Sequence, residues 1–199
     1  MTGEPERPAQ RRIHHLDARS LRGLAHPLRM RLLSSLRRDG PATASQLADR
    51  LGESSGATSY HLRQLAEYGF VEDAPERGTG RERWWRAVYD GTMLGDELRT
   101  DPDPEVRGAV GTLLHESATQ HSQELSTWLG TADDWPKEWV ESSDVSDFTL
   151  RLTPELSAEL GRKAHALIES YRALAPEADA PDAATVRVHL HQFPTRPAT

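Results

Sequence analysis

Between positions 55 and 86 the chain concentrates side chains whose chemistry is hydrogen-bond donation and charge pairing, not bond breaking. At roughly 100° per residue, a helix over this stretch places Gly56, Ser59, Tyr60, Arg63 and Glu67 on one side. Thr58, Leu62 and Leu65 fall on the other, with Ala57 and His61 at the margin. A helix that only packs would carry large apolar or plainly charged residues outside. Here the outer face is short, polar and able to donate, which suits close reading of base edges in a DNA major groove. Ser55, Gly56, Thr58, Ser59, Tyr60 and Arg63 are the candidate base and backbone contacts. Just beyond, Arg77, Arg81, Arg83 and Arg86 fall within ten residues. Arg77, Thr79, Arg81 and Arg83 complete the candidate set, as ligands for phosphate or the minor groove.

Reaction chemistry finds little support. There is no cysteine, so disulfides, thiolate metal sites and cysteine nucleophiles are excluded together. No Ser/His/Asp order, phosphate-cradling glycine loop or paired-carboxylate motif stands out. His115 with His121, and His189 with His191, lack third and fourth ligands at metal-site spacing and read as polar surface positions. The expectation is a protein that is not an enzyme and takes neither cofactor nor metal.

The donors need elements to hold them. Asp17 can cap a first helix carrying Leu21 and Leu24, and Pro27 suits the first turn of a second helix that runs to about Arg38. Asp39-Gly40-Pro41 stops it. Thr43 to Gln46 is a capping box, and the helix it starts buries Leu47, Ala48 and Leu51. Gly52 supplies a turn, the next helix spans about 55–68, and Gly69 ends it. Phe70 to Glu72 and Arg83 to Tyr89 read as strands joined by a turn with two glycines, and one of Trp84 and Trp85 must point inward. Helix, turn, helix, then an Arg-bearing hairpin is the order of a winged helix-turn-helix, with helix 55–68 in the groove and a wing at 75–83 beside it.

Three stretches carry a family likeness. Leu24-Ala25-His26-Pro27-Leu28-Arg29-Met30-Arg31-Leu32-Leu33, then Ser59-Tyr60-His61-Leu62-Arg63-Gln64-Leu65, then Gly78-Thr79-Gly80-Arg81-Glu82-Arg83 together resemble the ArsR-like winged helix-turn-helix transcriptional regulators. The likeness covers about residues 16–90. It implies that Ser59 and Tyr60 contact bases, that the wing arginines contact phosphate or the minor groove, and that repression is the default mode. The Cys-x-Cys pair of the metal-sensing members is absent, so it does not imply metal sensing.

Charge divides the chain. Residues 1–90 hold fifteen Arg against twelve Asp and Glu, whereas residues 91–199 hold nine Lys and Arg against nineteen acids. The positive balance lies where DNA would be met, and the acidic half should face away from phosphate. The bias of 22 Arg against 2 Lys is read first as genomic base composition. Residues 1–15 have no periodicity and are expected to be a disordered tail, whose Arg11 and Arg12 could reach DNA as an arm.

Beyond residue 90, Asp103-Pro104-Glu105 starts a helix of roughly 25 residues with Val106, Val110, Leu113, Leu114, Ala118, Leu125 and Trp128 on a stripe. Such a stripe needs cover, either from its own domain or from a second copy, and two DNA half-sites favour the second copy. Trp135 and Trp139 read as core plugs. Phe148, Leu150 and Leu152 alternate with polar residues as a strand, Thr153 caps a helix with Leu156, Leu160, Leu167, Tyr171 and Leu174 on one side, and Val186, Val188 and Leu190 form a last strand.

The whole predicts a mainly α protein with small β. It comprises a disordered tail (1–15), a winged helix-turn-helix domain (16–90), and an acidic region (91–199) holding a long dimerisation helix and a small C-terminal α/β appendage. No segment reads as a membrane span or signal peptide, which points to the cytoplasm. The expected partners are double-stranded DNA and a second copy of the chain. Two rival readings stay open. One is a winged-helix module that binds protein or RNA. The other is a small-molecule-sensing regulator with its effector site in 91–199.

Overall fold

The computed structural model describes residues 12–77, 82–176 and 180–196. The described residues divide into two units, split between 126 and 127. Among the described residues no helix is long and apolar enough to cross a membrane.

The first unit opens with β1 (Ile13–Leu16), which pairs in parallel with β5 (Gly91–Leu94), Ile13 opposite Gly91 and Leu16 opposite Leu94. Arg12 and Asp90 lock its start: the Arg12 amide donates to the Asp90 carboxylate at 2.8 Å and the Asp90 amide to the Arg12 carbonyl at 2.9 Å. This corrects the expectation of a tail through residue 15 and of a break at 90. A four-residue strand whose partner lies nearly eighty residues away leaves no local periodicity to find. Arg12 is tied into the fold, and Arg11 lies outside the described residues.

Asp17 caps α1 (Ala18–Leu24) as its side chain predicts, accepting from the Ser20 amide at 2.7 Å. α2 (Pro27–Asp39) starts with its proline at the first turn, where a missing amide hydrogen costs nothing. β2 (Ala42–Thr43) leads into α3 (Ala44–Leu51), whose capping box of Thr43 and Gln46 forms. Gly52, in the left-handed region at φ 67°, turns the chain into α4 (Ser55–Glu67). Gly69, at φ 75°, releases it into β3 (Val71–Asp73). β4 (Trp84–Ala87) runs between β2 and β3, antiparallel to both.

These elements close over one core. Leu21, Leu32, Leu47, Leu62, Leu65 and Phe70 are fully buried, and Trp85 is the inward member of its tryptophan pair. At about 1.5–3 kcal/mol for each large side chain withdrawn from water, this cluster fixes α4 against α1, α2 and α3. α1 and α4 approach so closely that the Tyr68 ring lies where a side chain on Gly23 would stand.

After the short α5 (Asp96–Arg99), α6 (Pro104–Thr131) begins where Asp103-Pro104-Glu105 places it, with Asp103 accepting from the Glu105 amide at 2.8 Å. Its predicted stripe divides. Val106, Val110 and Leu113 are buried in the core, and Gln120 donates to Ser34 of α2 at 2.6 Å. Leu114, Ala118 and Leu125 point away from it and are exposed.

The second unit contains α7 (Lys137–Glu141) and α8 (Pro154–Ser170), the latter capped by Thr153 as expected. The strands expected around 148–152 and 186–190 do not form, so the α/β appendage is corrected to a helix flanked by segments without regular secondary structure. Alternation alone does not make a strand, because a strand needs a neighbouring ladder for its amides. Nor are the Trp residues core plugs: Trp135 is exposed and meets Trp139 edge to face, ring centres 6.4 Å apart. None of the described residues of 127–199 is buried, and Leu156, Leu160, Leu167, Tyr171 and Leu174 are all exposed.

Candidate nucleic-acid interface

The Ser54 hydroxyl caps α4, accepting from the Ala57 amide at 3.2 Å. The leucines point inward from there, and the outer side carries small residues with one tyrosine and one arginine. Leu62 and Leu65 are wholly buried, whereas Ser55, Gly56, Tyr60 and Arg63 are exposed and Ser59 is half-buried. A side chain on Gly56 would meet open space, so the protein's own packing does not require glycine there. Arg63 curls back to donate from Nε to the Ser59 carbonyl at 3.2 Å, leaving the rest of its guanidinium outward.

Thr58 must be removed from the candidate contacts. It is 0% exposed, on the same side as Leu62, and its hydroxyl is enclosed without a hydrogen-bond partner. The helical period already turns Thr58 inward, to the side of Leu62 and Leu65.

The turn before α4 is held from α2. Arg31 donates from Nη2 to the Leu51 carbonyl at 2.6 Å and from Nη1 to Glu53 at 2.9 Å, while the Glu53 amide donates to the Ala48 carbonyl at 2.9 Å. Arg31 lies in a stretch whose helical spacing and family likeness assign it no contact of its own. Its role needs a partner some twenty residues away.

β3, β4 and the segment between them form the wing. Ala74 donates its amide to the Trp84 carbonyl at 2.9 Å, and Pro75–Arg77 is a short 3-10 turn. Arg77 is exposed; Thr79 and Arg81 lie outside the described residues. Arg83 lies over the Trp85 ring, 4.1 Å from its centre, and pairs with Asp73 at 2.9 Å. Arg86 pairs with Glu72 at 2.8 Å and Glu76 at 2.7 Å, and these acids, Glu72 foremost, push its pKa up. The arginines are thus partly neutralised by acids of their own wing. Exposed pairs of this kind are weak and screened by solvent, so a phosphate can displace the carboxylate.

A tri-helical core presenting one polar helix face, with a two-stranded wing beside it, defines a winged helix-turn-helix protein, the class of DNA-binding transcriptional regulators. Residues 24–74 match the family described as "Helix-turn-helix domain". Among solved structures the chain is similar to the AntR antimony-specific transcriptional repressor, at 29% identity over 51% of this chain and 78% of that one, TM-score 0.32. It is similar to a possible transcriptional regulator for arsenical resistance, at 25% identity over 59% and 97%, TM-score 0.31. It is also similar to Lactococcus lactis ZitR in complex with DNA, at 17% identity over 85% and 81%, TM-score 0.30. No curated protein matches the chain.

Proposed function

We propose that the protein is a homodimeric transcriptional repressor that reads operator DNA with α4 and grips backbone or minor groove with the wing. The observation that carries this reading is the pairing of two faces on one helix. Leu62 and Leu65 anchor α4 while Ser55, Gly56, Tyr60 and Arg63 stand clear of the protein. Ser59 and Tyr60 read base edges; Arg63, Arg77, Arg81 and Arg83 meet phosphates. The dimer is proposed because two half-sites one helical turn apart need two recognition helices, and α6 offers the exposed Leu114, Ala118 and Leu125 for it.

The test is binding measured against salt. Arg63→Ala and Arg81→Ala should weaken binding to all duplexes alike and reduce the salt slope by about one unit per lost phosphate contact. Ser59→Ala or Tyr60→Ala should instead change which sequences are preferred. Binding indifferent to both arginines would overturn the docking, and preference for single-stranded RNA or for protein would replace it with a different winged-helix function.

A further inference from the structure

Behind Tyr60 stands a row of rings that the sequence does not announce. Tyr60 meets His61 edge to face, ring centres 5.1 Å apart at 76°. His61 lies over His26 with centres 4.3 Å apart and planes at 35°. His26 is in turn fixed by the start of α2, its Nδ1 accepting from the Leu28 amide at 3.2 Å. A side chain that is 55% exposed is therefore backed by a chain of contacts reaching into another helix.

We infer that His61, seated on His26, is a positioning residue for Tyr60, and that protonating the two imidazoles loosens Tyr60 and lowers discrimination between operator and unrelated DNA. The inference rests on Tyr60 reading bases, as proposed above. An aromatic side chain turns about χ1 and χ2, and a reading contact needs one setting of both. The edge of His61 against the Tyr60 ring favours one, and His26 keeps His61 from swinging away.

Both imidazoles must be neutral for this arrangement. His26 accepts at Nδ1, so a proton there removes the cap and puts a cation at a helix N-terminus, where the helix dipole opposes it. The Nδ1 of His61 is enclosed without a partner, so a proton there would have no acceptor. Two imidazolium rings at this separation would also repel. The surroundings set the balance. Burial lowers the pKa of each, and Arg29 of α2 lowers both further. Glu53 of the turn acts the other way on His61, but Arg31 holds that carboxylate at 2.9 Å. Tyr60 itself lies against His61.

Added positive charge by itself tightens binding to every duplex, so the quantity to measure is a ratio. A duplex selected by the full chain from a random pool at about pH 8 is compared with a scrambled one, down to about pH 5.5, the span over which imidazoles titrate. The ratio should fall as pH drops. His61→Ala should lower it about fivefold or more at the upper pH, the scale of a weakened base contact. His26→Asn with His61→Phe keeps a capping oxygen and a ring while removing both protons. That variant should hold the ratio and flatten its pH profile, a result a merely structural role would not give. A double variant with the wild-type profile overturns the inference, as does a His61→Ala protein with an unchanged ratio. If Tyr60→Ala leaves the ratio unchanged, it is base reading by Tyr60 that fails. If Tyr60→Ala lowers the ratio while the histidine variants do not, only the bracing fails.

Discussion

Arg31 donates to the backbone carbonyl of Leu51 at 2.6 Å, across the helix-turn-helix junction. The carbonyl is one of those left unsatisfied at the end of α3, and the guanidinium completes what Gly52 begins. One side chain of α2 thus fixes where α3 ends and, through Glu53, where α4 starts.

Arg31→Ala should therefore destabilise the first unit by about 1–2 kcal/mol, the loss of one charge-assisted bond to backbone and one half-exposed ion pair. Arg31→Lys, with a single ammonium and no fork, should recover only part of it. Urea denaturation followed by circular dichroism measures both, and an Ala variant as stable as the wild type would show the clamp to be idle.

The pattern of what sequence revealed follows from the range of each interaction. Asp17, Thr43 and Thr153 announced their helices because a cap and its amide are three residues apart. The outward face of α4 was legible because helical period is local, and that period also puts Thr58 inward, where the structure buries it. β1 with β5, Arg31 with Leu51 and His26 with His61 were not legible, since each joins positions with nothing regular between them. In the second unit, alternation at 148–152 and 186–190 signalled apolar faces but not strands, and those faces remain uncovered in the single chain.

Close approach makes a second prediction. The Tyr68 ring lies against Gly23 with no room for a methyl group, and Arg19 stands over the ring, 5.6 Å from its centre. Gly23→Ala should force Tyr68 aside and cost about 1–3 kcal/mol, as overpacking does, despite alanine's better helix propensity. Paired with Tyr68→Ala, which opens the space, the alanine should become neutral or stabilising. A double-mutant cycle on thermal unfolding tests this coupling, and additive effects would refute it.

On the wing, Asp73 holds Arg83 at 2.9 Å, and under the proposed docking a phosphate would have to displace it. Asp73→Asn removes a negative charge near the duplex and frees the guanidinium, which remains seated over Trp85. Affinity for all duplexes should rise several-fold at low salt, with discrimination unchanged, and the gain should shrink as salt is added. Titration at two ionic strengths decides, and weaker binding by the Asn variant would mean that Asp73 holds Arg83 in the shape DNA needs.

Stability should depend on pH in two separate windows. His14, His26 and His61 all have pKa values lowered from the ordinary 6.5, in each case chiefly by burial. The folded chain then binds fewer protons than the unfolded one. Their contribution is complete above about pH 6.5 and is lost as pH falls through the lowered values. Asp17, held down by hydrogen bonds from Ser20, and Asp39, held down by Arg38, act lower, losing their contribution only as pH falls below the ordinary 3.8. Melting temperature against pH should thus fall in two steps, and His26→Asn with His61→Phe should diminish the upper step alone. A single acid transition with the histidines intact would contradict the assignment.

The exposed side of α6 gives the last test. Leu114, Ala118 and Leu125 fall on one stripe because they are spaced four and seven residues apart, and the opposite side of the helix is already used against α2 through Gln120 and Ser34. A second copy laying the same stripe against this one would bury apolar side chains on both, and glycines at 108 and 111 would let backbones approach near its start. Leu114→Glu with Leu125→Glu sets charges against charges across such a contact without touching the core of either chain. Sedimentation should then show a monomer whose circular dichroism is unchanged. Its DNA affinity should drop by about a hundredfold or more, since one half-site no longer recruits the other. A dimer surviving both substitutions would move the interface off α6.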